Sequence, residues 1–228
     1  MKSEEKFARL LDDRPLLHDW ASTPQSSLGV LKYIYHNARP QMTTLETGAG
    51  HTTVAFAIVR TRHTCITPYR SDFDNVIEYC RRIGVDTDCL TFIDKSSDMA
   101  LAGDDPIPSQ LDFVFIDGAH RFPYPVIDWH YTQNRLKVGG ILGLDDTAMP
   151  SVRVLYDFLR GEDEWKIIKK IEDTVFFRKT AEAKIVSDWR GQNMNRASKW
   201  KRKTSLINAG KRTVKKFIKS FIRSTPVC

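Results

Sequence analysis

The sequence predicts a doubly wound α/β core with a mostly parallel sheet. Short apolar strands alternate with helical stretches from Met42 to Leu144, the pacing of a parallel sheet covered by helices on both faces. The first strand runs into a glycine turn, Gly48-Ala49-Gly50, that opens onto a helix. After the alternation come two apolar runs, Trp165 to Ile171 and Thr174 to Arg178, separated only by Glu172-Asp173. That gap is a hairpin signal and adds an antiparallel strand at the end of the sheet.

The elements follow in order. Residues 1–40 read as helices that pack on the core, with Phe7, Leu10 and Leu11 on one face and Leu28, Leu31, Ile34 and Tyr35 on another, parted by Pro15 and Pro24. Residues 41–180 form the core. Its predicted strands are Met42–Glu46, His63–Thr67, Cys89–Ile93, Leu111–Ile116 and Ile141–Leu144. The predicted helices are Thr52–Arg60, Asp74–Gly84, the short piece Met99–Gly103, Pro125–Leu136 and Ser151–Arg160, with a turn at Gly139-Gly140 before the fifth strand. Right-handed crossovers leave few topologies for such a series. Residues 181–228 form a basic tail.

Composition supports one domain with a sizeable core: the chain has 228 residues, 41% of them hydrophobic. There is no apolar run long enough to span a bilayer, and the first residues mix charges of both signs without a signal-peptide core. The cysteines, Cys65, Cys80, Cys89 and Cys228, show no metal or disulfide spacing, so a reducing, cytoplasmic setting is expected. The net charge of +7 is uneven. From Lys184 onward there are thirteen Lys or Arg and one acid, so the tail carries about +12 and the preceding body about −5.

A strand, two glycines and a helix bring backbone close to a ligand, because glycine adopts unusual dihedrals and has no Cβ to block approach. A dinucleotide site would want a third glycine where Thr53 stands. Glu46, two residues before Gly48, suits a cationic group such as an amino acid's ammonium better than a pyrophosphate. A tight turn without a ligand is the other reading of this motif alone.

A second signal lies further on. The strand ending Asp117-Gly118-Ala119-His120 and the strand ending Asp145-Asp146 deliver acids to one sheet edge, where open α/β sheets bind ligands. Carboxylates gathered there repel unless a positive group lies between them, and a divalent cation with oxygen ligands is one such group.

Taken in order, Glu46-Thr47-Gly48-Ala49-Gly50-His51-Thr52-Thr53, the run from Leu111 to His120 and the run from Leu136 to Thr147 resemble the class I S-adenosylmethionine-dependent methyltransferases. The likeness is closest to the branch of small-molecule O-methyltransferases of the catechol and macrolide-sugar type and covers about residues 25–180. It implies a seven-stranded Rossmann-like sheet, S-adenosylmethionine as cofactor and methylation of a small-molecule hydroxyl. It also implies roles for matching residues. Glu46, Gly48 and Gly50 form the cofactor turn, with His51 beside it, and Ser97 and Asp98 fall at the adenine contact. Asp117, Asp145 and Asp146 match the positions that hold magnesium or another divalent cation in metal-dependent members, and Asp117 also borders the cofactor. One departure stands out: the family ends its second strand with an acid for the ribose hydroxyls. This chain reads Thr67-Pro68-Tyr69 there, with Asp72 late, so Thr67 or Tyr69 is a candidate replacement.

Methyl transfer needs a positioned acceptor and a group that takes its proton. His120, with Asp117, is the catalytic candidate where no metal acidifies the hydroxyl, since histidine titrates in the useful range. Arg121 and Tyr124 are placed to shape an acceptor pocket, while Val126 and Trp129 read as the core face of a helix. In the tail, Val214, Phe217, Ile218, Phe221 and Ile222 share a helical stripe opposite Lys215, Lys216 and Lys219. With Lys199 to Lys203, that pattern over residues 199–223 suits an anionic membrane surface or a phosphate-rich partner and a peripheral membrane association. Docking of the stripe on the body or on a second subunit, as a homodimer, is the alternative. Two other functional readings stand beside O-methylation. One is a nucleic-acid methyltransferase guided by the tail; the other is a non-catalytic member that binds the cofactor or a partner. The missing ribose acid supports the last, and Asp117-Gly118-Ala119-His120 stands where base-modifying enzymes carry an Asn/Asp-Pro-Pro-aromatic run.

Overall fold

The computed structural model describes residues 2–18, 26–182 and 192–195. The chain divides into two compact units, residues 1–183 and 184–228. The second is described only at 192–195, so the helical tail expected over 199–223 lies outside the described residues.

The first unit runs α1 (Ser3–Asp13), α2 (Leu28–Asn37), β1 (Thr43–Thr47), α3 (His51–Val59), β2 (Arg62–Thr67), α4 (Arg70–Arg82), β3 (Leu90–Asp94), α5 (Ser97–Ala102), β4 (Leu111–Ile116), α6 (Tyr124–Gln133), β5 (Leu136–Leu144), α7 (Pro150–Leu159), β6 (Trp165–Ile171) and β7 (Thr174–Lys179). The sheet has seven strands in the order β3-β2-β1-β4-β5-β7-β6. β1 to β5 pair in parallel, and β7 is antiparallel to both β5 and β6. Order reverses at β1, whose two neighbours are β2 and β4, and at such a switch point a crevice opens beyond the carboxyl ends of the strands.

Alternation along β4 shows how the layers form. Phe113 and Phe115 point into one core with α1 to α4, whereas Val114 and Ile116 point into the other with α5 to α7, as a strand buried on both faces requires. Aromatic contacts tie the first core together: Phe113 meets Phe56 and Phe176 edge-on at ring distances of 5.3 and 6.2 Å. Val126 and Trp129 pack against the second core, and Trp129 meets Phe158 at 5.1 Å. The outer strand β6 exposes Lys166, Lys169 and Lys170, which discourages further strand pairing.

The largest differences from the sequence reading lie at α4 and β5. α4 starts at Arg70, not Asp74, because Phe73 is buried with Val76, Tyr79 and Cys80 and extends the apolar face by one turn. β5 runs unbroken from Leu136 to Leu144 through the expected glycine turn. Gly139, at φ +88°, and a register shift between Leu111 and Phe113 absorb the glycines as an irregularity within the strand.

Candidate active site

A cavity of about 740 Å³ opens where the strand order reverses. Its floor is the glycine turn. Gly48 has φ +97°, and a Cβ there would lie 2.5 Å from the Asp117 carbonyl oxygen. Only glycine admits both the dihedral and the approach. The Gly48 amide donates to the Ile66 carbonyl at 2.8 Å and the Asp117 amide to the Thr47 carbonyl at 3.1 Å, so the ends of β1, β2 and β4 are locked together around the cavity.

Thr53 explains the absent third glycine. Its hydroxyl accepts from the Gly50 amide at 2.8 Å and donates to Glu46. Thr52 donates to the other Glu46 oxygen at 2.8 Å. Glu46 is buried, and one of its oxygens also lies 3.2 Å from His63 Nε2. His63 Nδ1 lies 2.7 Å from the Thr44 hydroxyl. Glu46 borders the cavity, but its carboxylate anchors the turn to the start of α3. The part played by His63 escapes sequence reasoning, since its contacts with Glu46 and Thr44 depend on the β1–β2 register.

Along the cofactor side the cavity is lined by Gly48, Gly50, His51, Thr67 and Ser97. Asp98 is set outside the lining. His51 is 3% exposed, and burial lowers its pKa to about 4, so it is neutral at physiological pH. Its ring bonds the Pro15 backbone. Proline has no N–H, so the ring is the donor. Nε2 has no hydrogen-bond partner, which leaves Nδ1–H as the donor and Nε2 as a bare acceptor on a cavity-lining residue.

At the opposite end stand Asp117, His120, Arg121, Tyr124, Asp145, Asp146 and the hairpin turn Glu172-Asp173. His120 Nε2 is 3.0 Å from Asp146 and 3.6 Å from Asp117. The Asp117 and Asp146 carboxylates beside it raise its pKa to about 10, so it is an imidazolium at neutral pH. Burial, then repulsion from Asp145, raises the Asp117 carboxyl well above the usual carboxylate range, while His120 holds Asp146 below it. The positive group among these acids is therefore the chain's own histidine. Asp145 accepts from the Thr174 hydroxyl instead, and the next residue, Asp146, turns away from the strand path at φ +51°. The expected metal set Asp117, Asp145 and Asp146 is thus rearranged: the atoms within 4.8 Å of one another belong to Asp117, His120 and Asp146. Two carboxylates and an imidazole fit manganese, iron or zinc better than magnesium. Among the described residues Glu46, His63 and Cys65 form a second such group, with the Glu46 oxygens already taken by Thr52 and Thr53.

The family model of a methyltransferase domain matches residues 45–147, from the middle of β1 to just past Asp146. The match identifies residues 45–147 as a methyltransferase domain. No curated protein sequence matches the chain. Solved structures share the methyltransferase fold. The O-methyltransferase TomG of Streptomyces achromogenes, involved in tomaymycin synthesis and solved with S-adenosylmethionine, is 17% identical over 79% of this chain and 91% of its own, with a TM-score of 0.58. A methyltransferase of Podospora anserina bound to S-adenosylhomocysteine is 14% identical over 78% of this chain and 88% of its own, at 0.57. An rRNA methylase of Streptococcus thermophilus is 10% identical over 71% of this chain and all 100% of its own, at 0.54.

Behind Ser97 the methyltransferase buries Asp128 of α6 completely. Burial raises this carboxyl to about 6, and the Ser97 and Thr47 hydroxyls oppose the shift only in part. The folded state then holds a proton that the unfolded chain releases above about 4. The stabilisation is complete below that value and is lost as pH rises through about 6. Asp128→Asn should therefore raise stability at pH 7 to 8 by at most about 3 kcal/mol. The gain should vanish near pH 4 in urea melts read by circular dichroism.

Proposed function

We propose that this S-adenosylmethionine-dependent methyltransferase methylates a hydroxyl of a small molecule. The observation that carries the reading is the acidic acceptor end, where Asp117, Asp145, Asp146, Glu172 and Asp173 outnumber His120 and Arg121. Such a wall repels a phosphate backbone, and it offers a hydroxyl a proton acceptor beside a cation. Bound cofactor supplies an electrophilic methyl group. Asp117, kept weakly acidic by burial, takes the hydroxyl proton. The His120 imidazolium, 3.0 Å from Asp146, stabilises the negative charge that develops on the acceptor oxygen. A manganese, iron or zinc ion held by Asp117, His120 and Asp146 would acidify the same hydroxyl by coordination. Arg121 and Tyr124 border the acceptor space.

The test is to incubate the full chain with S-adenosylmethionine and panels of catechols, phenols and sugar hydroxyls, and in parallel with ribosomal RNA, and to follow S-adenosylhomocysteine release. Turnover with hydroxyl acceptors and none with RNA is expected. Turnover with RNA alone would assign the enzyme to nucleic acid instead. The charge of residues 199–223 supports a second, separate role, recruitment to anionic membrane surfaces. Truncation after Glu182 should abolish sedimentation with phosphatidylserine vesicles and leave S-adenosylhomocysteine binding unchanged. Vesicle binding that survives truncation would remove the tail from that role.

A further inference from the structure

β2 ends at Thr67, and neither that residue nor the following Pro68 and Tyr69 is an acid. Thr67 is buried and its hydroxyl accepts from the Tyr69 amide at 3.3 Å, closing the local turn. Of the acids that line the cavity, Glu46 is bound by Thr52 and Thr53. Asp117, Asp145 and Asp146 gather at the ends of β4 and β5, and Glu172 and Asp173 lie on the β6–β7 turn. Asp72 alone stands on the β2–α4 side, in the first turn of α4 and only 3% exposed.

A buried carboxylate needs a partner, and the partner comes from a distant part of the chain. After α1 the backbone crosses α3 and α4 as a strap, Arg14 to His18. Leu17 is 2% exposed, and its carbonyl accepts from Asn75 Nδ2 at 3.2 Å. The Pro15 carbonyl accepts from His51. The Tyr79 hydroxyl bonds Asp13 at 3.1 Å and fixes the end of α1. His18 is thereby placed in the cavity wall, with Nδ1 3.1 Å from Asp72 Oδ1. Its Nε2 lies 3.1 Å from where a Cβ on Gly50 would stand, so the ring closes directly over the glycine turn.

We propose that Asp72 and His18 form the ribose wall of the cofactor pocket: Asp72 accepts from the ribose hydroxyls, and the strap delivers His18 to hold that carboxylate and cover it. The acid stands on the helix that follows the strand, and the strap seats the His18 ring against it. A vicinal diol presents two O–H donors, which suits a carboxylate whose buried Oδ1 takes no hydrogen bond from the described residues. The bare Nε2 of the cavity-lining His51, on the same strap-covered side, is a further acceptor for the same ligand. The proposal rests on the S-adenosylmethionine reading of the cavity.

The experiment is calorimetry of the full chain with S-adenosylhomocysteine and with its 2′-deoxyribose analogue, for wild type, Asp72→Asn and His18→Gln. Wild type should prefer the ribose form by about 10- to 100-fold, as expected for a hydroxyl bonded to a charged group. Asp72→Asn should weaken the parent ligand by that factor, leave the analogue within about threefold and erase the preference. His18→Gln should narrow the preference in the same direction. A wild type that binds both ligands equally overturns the proposal even if the variants fail to fold. Folded variants that keep the full preference also overturn it while leaving the cofactor reading intact. A wild type that binds neither ligand overturns the cofactor reading and the proposal with it.

Discussion

Gly48→Val should abolish binding of S-adenosylhomocysteine while leaving a folded, though weakened, domain. The substituted side chain meets two obstacles at once. At φ +97° a β-branched residue is strained, and its Cβ would stand 2.5 Å from the carbonyl oxygen of Asp117, a backbone atom that cannot rotate away. The conflict is relieved only by parting the ends of β1 and β4, which are joined there by the Asp117 amide donating to the Thr47 carbonyl at 3.1 Å. The expected loss of stability is about 2–4 kcal/mol, from backbone strain plus overpacking. The cavity floor and the Asp117 side chain shift together, so the effect on ligand binding exceeds the effect on folding. Calorimetry with S-adenosylhomocysteine and thermal melts of the same samples separate the two. Binding retained within about tenfold would show that the turn does not touch the ligand.

The fold was legible in the sequence because its signals are local. Apolar runs of strand length, glycine and proline punctuation and the two-residue hairpin gap each depend on neighbours a few residues away. Mistakes arose where a local signal had a second solution. Gly139-Gly140 reads as a turn but is absorbed within β5 as a bulge between Leu136 and Ile141, the residues that pair with Leu111 and Phe113 of β4. The candidate site was legible as a set of residues at strand ends and much less as a set of contacts. Asp145 and Asp146 are neighbours in sequence but diverge in space, the first to Thr174 and the second to His120. Glu46 reads as a ligand group, whereas its oxygens serve Thr52 and Thr53. His18 is more than fifty residues from Asp72 and carries no motif, so only the packing of Leu17 and Pro15 against α3 and α4 places it in the wall.

Asp117→Asn should lower turnover by about 10²- to 10⁴-fold, the range for removal of a general base, and leave S-adenosylhomocysteine affinity within about threefold. The pH profile follows from the two groups in contact. Asp117 must lose its proton to act, and burial beside Asp145 holds its carboxyl well above the usual carboxylate range. Turnover therefore rises with pH through that elevated value. His120 must keep its proton to stabilise the acceptor oxygen, and Asp117 and Asp146 raise it to about 10. Turnover therefore falls only above about 10, and the profile is a bell displaced to the alkaline side. His120→Gln should cost about 10²- to 10³-fold at pH 8, as expected for a lost charge-stabilising donor, and should remove the alkaline limb, since no imidazolium remains to titrate there. A His120→Gln enzyme that keeps the alkaline limb would place that titration elsewhere. Asp117→Asn turnover within about threefold of wild type at every pH would assign proton removal to another group, and Asp146, which His120 holds as a carboxylate, would be the next base to substitute.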